Sequence, residues 1–191
     1  GHLYVCTCDG EEFRTMLNNK QACPCRSLSV DEQLSRWQKM LDPNGYKQGE
    51  AVVRFKSDIE HPNPAMRDFP LLRINEAEHP RVGNRYRVWP LMNLSVALDD
   101  MLLGVRHTLR GIDHADSEKR QAMSHEALGC KTPYAISVGR INFKGFELST
   151  TKTMAKIKEG VYSGFDDIRL PFLVALRKRG FCAEAFRKYA K

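Results

Sequence analysis

Two cysteine pairs near the start of the chain, Cys6-Thr7-Cys8 and Cys23-Pro24-Cys25, constrain its folding more than any other feature. Fourteen residues lie between Cys8 and Cys23. Pairs this tight cannot easily close disulfides within themselves, because the geometry is wrong. Four thiolates brought together suit tetrahedral zinc, and such a site can hold a small, core-poor lobe together. Disulfides between the pairs are the alternative. A zinc held by Cys6, Cys8, Cys23 and Cys25 has every position filled by protein, so the metal would be structural rather than catalytic. Cys130 and Cys182 stand alone and read as small buried hydrophobes rather than nucleophiles. Six cysteines so distributed are no disulfide framework and indicate a reducing, cytoplasmic compartment.

The 191 residues suffice for one large or two small domains. A net charge of +7 suits a polyanionic partner, because lysines and arginines that neutralise phosphates release counterions. No run approaches the roughly 20 apolar residues of a membrane helix, and no secretory signal is visible. Ser29 and Glu32 predict a capping box opening a helix whose face carries Val30, Leu34, Trp37 and Leu41. That face, with Trp37, is expected to supply the apolar core of the metal lobe. Asp42-Pro43-Asn44-Gly45 ends the helix. Strands are expected over 51–56 and 69–74, with a turn at His61-Pro62-Asn63-Pro64. From Tyr86 the grammar changes. Leu91, Leu94, Leu98, Met101 and Leu102 have helical spacing as far as Gly104, and 105–110 alternates as a strand. A loop follows at 111–116, then a helix capped by Asp116 or Ser117 and closed by Gly129, then a strand from Ile136. This order is that of a doubly wound α/β layer. Helices are expected over 152–159, from Pro171 to Gly180, and over 183–190.

Arg110 is placed at the C-terminal end of a predicted strand, where open α/β sheets bind ligands and where a guanidinium can grip a carboxylate. Asp113 and His114 follow and read as helix-capping groups. Ser149, Thr150, Thr151 and Lys152 put hydroxyls, free amides and an ammonium at a helix start, which suits phosphate oxygens or an ordinary cap. Asp166 and Asp167 before Pro171 also look like capping carboxylates. No G-x-x-x-x-G-K-[ST] loop and no G-x-S-x-G elbow occur, and the six histidines lack metal-ligand spacing.

Taken jointly, several segments resemble archaeal-type glutamyl-tRNA synthetase, in the glutamate/glutamine branch of class I. They are the two cysteine pairs, Trp89-Pro90-Leu91-Met92-Asn93, Leu109 to His114, Gly139-Arg140-Ile141, Leu148 to Lys152, and Gly164 to Pro171. The resemblance covers nearly the whole chain. It implies an α/β fold: the second half of a Rossmann-type catalytic domain, a zinc-binding insertion and C-terminal helices. By the same resemblance, residues 1–85 would be the zinc-bearing insertion that binds the acceptor stem. Residues 86–150 would be the second Rossmann half, and 151–191 the nucleotide loop and helical connection to an anticodon-binding domain.

The resemblance also implies roles. Arg110 and Met92 would bind the amino acid, and a cation at 110 favours glutamate. ATP would lie against Gly111, Ile112, Arg140, Ile141, Leu148, Ser149, Thr150, Thr151 and Lys152, with Ser149 and Lys152 the catalytic pair. Thr150 stands where many relatives carry a lysine, leaving Lys152 as the loop's cation. The implied reaction is ATP-dependent, Mg2+-assisted activation of glutamate and its transfer to the 3′ end of tRNA(Glu), with tRNA(Gln) an open second acceptor. Such catalysis consists of orientation and charge stabilisation without a protein nucleophile. The family's His-Ile-Gly-His signature is nowhere in the sequence, so the chain reads as an internal fragment, inactive alone, of a cytoplasmic and monomeric ligase. Two alternatives compete: a glutaminyl-tRNA synthetase, and a non-enzymatic zinc module that binds RNA or protein. Lys20, Arg26, Lys39, Arg54 and Lys56 are candidate tRNA-backbone contacts.

Overall fold

Four strands, β1 (Leu3–Cys6), β2 (Val52–Phe55), β3 (Pro70–Ile74) and β4 (Val88–Pro90), form an antiparallel meander in chain order. The computed structural model describes residues 1–139, 144–145 and 149–189. It divides into two units, Gly1–Gly139 and Arg140–Lys191. The meander belongs to the first unit. Its strand β4 pairs with β3 through Leu72↔Pro90 and Ile74↔Val88. The boundary expected near residue 85 therefore falls inside a hydrogen-bonded sheet.

The opening segment is more regular than its loop-rich composition suggests. Asp9 caps a helix α1 (Gly10–Asn18), accepting from the Glu11 amide at 2.8 Å. The far end of α1 is closed by a buried arginine. Arg67 donates to Leu17 O at 2.6 Å, a carbonyl that also accepts from the Lys20 amide, and to His61 O.

Helix α2 (Val30–Leu41) starts where Ser29 predicts, its hydroxyl accepting from the Glu32 amide at 3.2 Å. The other half of the capping box is replaced, since Glu32 turns its carboxylate to Arg36 at 2.9 Å. The helix is also rotated from the expected face. Val30 is 73% exposed, and Leu34 and Leu41 are exposed too, while Met40 is fully buried. The reason lies in β1. The Val5 amide donates to Gln33 Oε1 at 2.7 Å, and Gln33 Nε2 donates to Cys25 O at 2.6 Å. Satisfying those backbone groups turns Gln33, Trp37 and Met40 inward. Met40 then packs with Val5, Val53 and Ile74, and Trp37 lies against them. Gly45 ends the helix by contact: a Cβ there would lie 2.0 Å from Lys39 O, the carbonyl to which Tyr46 donates.

The chain then changes from antiparallel to parallel pairing. Helix α3 (Met92–Leu102) leads through Gly104, at φ +65°, into β5 (His107–Gly111). A short 3-10 turn (Ile112–His114), helix α4 (Ala115–Ala127) and β6 (Tyr134–Val138) follow. Strands β5 and β6 pair in parallel, Leu109 opposite Ile136, with α4 as the crossover that parallel pairing requires. The strand-helix-strand expectation is met, with β6 opening two residues before Ile136. Neither Asp116 nor Ser117 caps α4. The 3-10 turn runs directly into the helix, His114 holds the N-cap position without a side-chain bond, and Asp116 accepts from Asn63 at 2.9 Å.

In the second unit, α5 (Thr150–Lys158), α6 (Leu173–Lys178) and α7 (Ala183–Tyr189) occur close to their expected positions. The turn before α6 is not a cap. Asp167 accepts from Ser163 N at 3.1 Å, from Arg169 N at 3.0 Å and from Arg169 Nη2 at 2.6 Å, while Asp166 pairs with Lys178. Phe172 takes the N-cap position of α6. Among the described residues no helix is long and apolar enough to cross a membrane.

Candidate functional site

The cysteine pairs converge as the spacing predicts. Cys6 and Cys8 come from the end of β1, and Cys23 and Cys25 from a 3-10 turn (Pro24–Ser27). All four Sγ atoms lie within 4.8 Å of one another, with Cys6 to Cys23 and Cys8 to Cys25 each at 3.8 Å. Zinc–sulfur bonds of about 2.3 Å make a tetrahedron with edges of about 3.8 Å, so the donor set fits zinc. All four cysteines are free thiols rather than disulfides.

The surroundings suit a cluster of thiolates. Arg36 donates to Cys25 Sγ at 3.2 Å and to Thr7 Oγ1 at 3.1 Å. These groups set charge and orientation behind the ligands. Burial works against ionising Cys25, but hydrogen bonds from Thr7 and Arg36 outweigh it and hold its thiol below the ordinary range. The hydrogen bond between Cys6 and Cys23 pulls Cys23 down to about 5 and, together with burial, pushes Cys6 up.

Behind this centre stands Asp68, fully buried and at positive φ. It accepts from Tyr4 Oη at 2.8 Å, Arg26 Nε at 2.9 Å and Ser57 N at 2.9 Å. Tyr4 Oη also lies 3.7 Å from Cys23 Sγ. Burial first, then the Asp68 charge, keep the Tyr4 phenol protonated and donating. Neither Asp68 nor Arg36 stands out in the sequence; a lone aspartate between Arg67 and Phe69 carries no spacing signal. Two candidate RNA contacts are committed elsewhere. Arg26 is tied to Asp68, and the Arg54 guanidinium lies 3.4 Å over the Phe13 ring. Lys20, Lys39 and Lys56 remain exposed.

Arg110 sits near the end of β5, on the strand face opposite Leu109, and is mostly buried. Its guanidinium donates to Gln121 Oε1 of α4 and pairs with Asp100 Oδ2 of α3 at 3.3 Å. The fork is thus clamped between two helices. Gly111 and Ile112 follow directly in the chain, and Ile112 is exposed. Met92 opens α3, eight residues before Asp100 and so about 12 Å along the helix axis from it; its side chain is about half exposed. In the second unit, Ser149 caps α5, accepting from the Lys152 amide at 3.3 Å, and Thr150, Thr151 and Lys152 form an exposed first turn. Arg140, Ile141 and Leu148 lie outside the described residues.

The family model for the catalytic domain of class I tRNA synthetases (E and Q) matches residues 1–191. The chain belongs to that family. It is 50% identical over 189 residues to the glutamate–tRNA ligase of Pyrococcus furiosus, covering 98% of this chain and 33% of that protein. The same enzyme of Methanothermobacter thermautotrophicus is 50% identical over 188 residues, covering 98% and 34%. The chain spans about a third of the length of these curated relatives. A solved glutamate tRNA ligase from Elizabethkingia meningosepticum overlaps 81% of this chain and 33% of its own, at 17% identity and a TM-score of 0.49.

Proposed function

We propose that, in a protein of its relatives' length, this chain forms part of the catalytic region of a glutamate–tRNA ligase. Such a ligase joins glutamate to ATP as glutamyl adenylate, releases pyrophosphate, and esterifies the 3′ end of tRNA(Glu). The observation that carries this reading is identity of half the residues, across 98% of the chain, with ligases named for that reaction. The geometry agrees with it. Arg110 is held near the C-terminal end of β5, the end at which parallel sheets bind ligands. Asp100 and Gln121 fix its orientation, which suits recognition of a second carboxylate by the rest of the fork.

The first turn of α5, with Ser149 at its cap and Lys152 one turn on, is proposed to meet the ATP phosphates, Mg2+ accompanying the nucleotide. The residues through β4 are proposed to carry the acceptor stem, those from α3 to 150 the nucleotide fold and 151–191 the connection toward anticodon recognition, in a cytoplasmic monomer. Zinc on Cys6, Cys8, Cys23 and Cys25 would hold the end of β1 to the 23–27 turn and take no part in chemistry. The open apolar face of the β5–β6 sheet, where Leu109 is 70% exposed, fits a nucleotide fold whose other strands and helices come from outside these residues.

The test is glutamate-dependent ATP–pyrophosphate exchange in a protein of the relatives' length. Arg110→Cys removes a charge-assisted contact and is expected to lower glutamate kcat/KM by about ten- to a hundredfold. Unchanged glutamate activation would remove Arg110 from the amino-acid site, and glutamine-dependent exchange in the parent would move the reading to the glutaminyl branch.

A further inference from the structure

Helix α4 buries polar side chains where an ordinary helix buries aliphatic ones. Gln121, Ser124 and His125 share a face at the i, i+3, i+4 spacing, and all three are buried. Ser124 and His125 serve the backbone: Ser124 Oγ donates to Arg120 O at 3.1 Å, and His125 Nε2 meets Ala97 O at 3.0 Å. Gln121 serves a charge instead. A guanidinium has donors and no acceptor, so the amide must present its oxygen, and Gln121 Oε1 accepts from Arg110 Nη1.

The two partners of Arg110 differ in kind. Asp100 Oδ2 lies 3.3 Å from Nη2, longer than an ordinary charge-assisted hydrogen bond. Gln121 holds the other arm with no charge at all. Among the described residues the side-chain partners of Arg110 are thus one loosely paired anion and one neutral amide. Arg110 and Asp100 are both mostly withdrawn from water. Solvent screens little at such a position, so the number of anions around the guanidinium decides how a further carboxylate is received. A carboxylate at 121 would orient the fork equally well but would set a second anion on the same cation. An aliphatic side chain there would strand a guanidinium N–H. The amide steers the fork and leaves its charge for a ligand.

We infer that Gln121 is a specificity-determining positioning residue: its neutral oxygen orients Arg110 and keeps the site selective for a side-chain carboxylate over a carboxamide. The inference rests on the proposed function for the identity of the substrate. It adds that selectivity resides in the charge balance of Asp100, Arg110 and Gln121 rather than in Arg110 alone.

The test uses ATP–pyrophosphate exchange in a protein of the relatives' length, reading KM for glutamate and the inhibition constant of glutamine. Gln121→Glu is expected to raise the glutamate KM by about ten- to a hundredfold with kcat little changed, and to leave glutamine inhibition within about twofold of the parent. Gln121→Met removes the acceptor and adds no charge; it should weaken glutamate binding less and keep the preference for glutamate over glutamine. The double variant Asp100→Asn/Gln121→Glu moves the anion from α3 to α4 and should recover most of the lost preference. It also restores the charge balance, so it stays informative if Gln121→Glu alone fails to fold. Equal losses for both amino acids in Gln121→Glu, or a double variant without the preference, would overturn the inference, because a purely structural role predicts them. A parent that responds to Arg110→Cys but not to Gln121→Glu would overturn this inference alone. A parent without glutamate-dependent exchange would overturn the proposed function and this inference with it.

Discussion

At the scale of single residues, the first unit leans on Asp68. It is the common acceptor for Tyr4 of β1, Arg26 beside the cysteines and the Ser57 backbone. Removing one partner of a buried ion pair strands the other charge; because Arg26 is partly exposed, the loss belongs at the lower end of the usual range. Asp68→Asn is expected to cost about 3 kcal/mol in denaturant unfolding. Asp167 is a different case, where acid is the probe. Side-chain and then backbone hydrogen bonds from Arg169 hold its carboxyl well below the usual range. The folded value lies below the unfolded one, so its contribution is complete above the ordinary carboxylate range and is lost as pH falls through the folded value. Amide-exchange protection at Ser163 and Arg169 should therefore hold near neutrality and fall below about pH 4. Asp167→Asn should show the acid behaviour at pH 7.

At the scale of elements, α2 shows how backbone needs override an apolar stripe. Periodicity alone favours Val30, Leu34, Trp37 and Leu41 inward. An unpaired Val5 amide and the Cys25 carbonyl demand Gln33 instead, and the helix turns to provide it. Its end is set by a close approach: any side chain at 45 would collide with the Lys39 carbonyl. Gly45→Ala is expected to destabilise the first unit by about 2 kcal/mol, read from the urea midpoint, because the last turn of α2 must shift to admit a methyl. The βαβ element is simpler. Its strand and helix periods are both present in the sequence, and the parallel pairing follows from the length of the crossover.

At the scale of the molecule, four thiols from the end of β1 and from the 23–27 turn lie close enough to share one metal, which is expected to hold the end of β1 in place. Metal analysis should give one zinc per chain. A strong chelator is expected to expose 1–28 to proteolysis while leaving α3, α4 and the β5–β6 pair protected, since His125 ties α4 to α3 at Ala97 O and both helices pack on Phe55, Phe69 and Leu71 rather than on 1–28. Protection unchanged on zinc removal would make the cysteines ordinary core residues.

Legible in the chain were the four cysteines that converge, a helix ending at Gly104 and a second closed by Gly129, the parallel strands around them, and membership in a family of synthetases. Each of these is written in local spacing or in a run of matched residues. Folding fixed which face of α2 is buried, that β4 joins the first sheet, that Asp68 gathers Tyr4, Arg26 and the Ser57 amide behind the cysteines, and that Arg110 is clamped by Asp100 and Gln121. Those depend on which backbone and charged groups would be left unsatisfied when segments far apart in sequence meet. Unsatisfied partners are a property of the assembled interior, and no window of residues contains them.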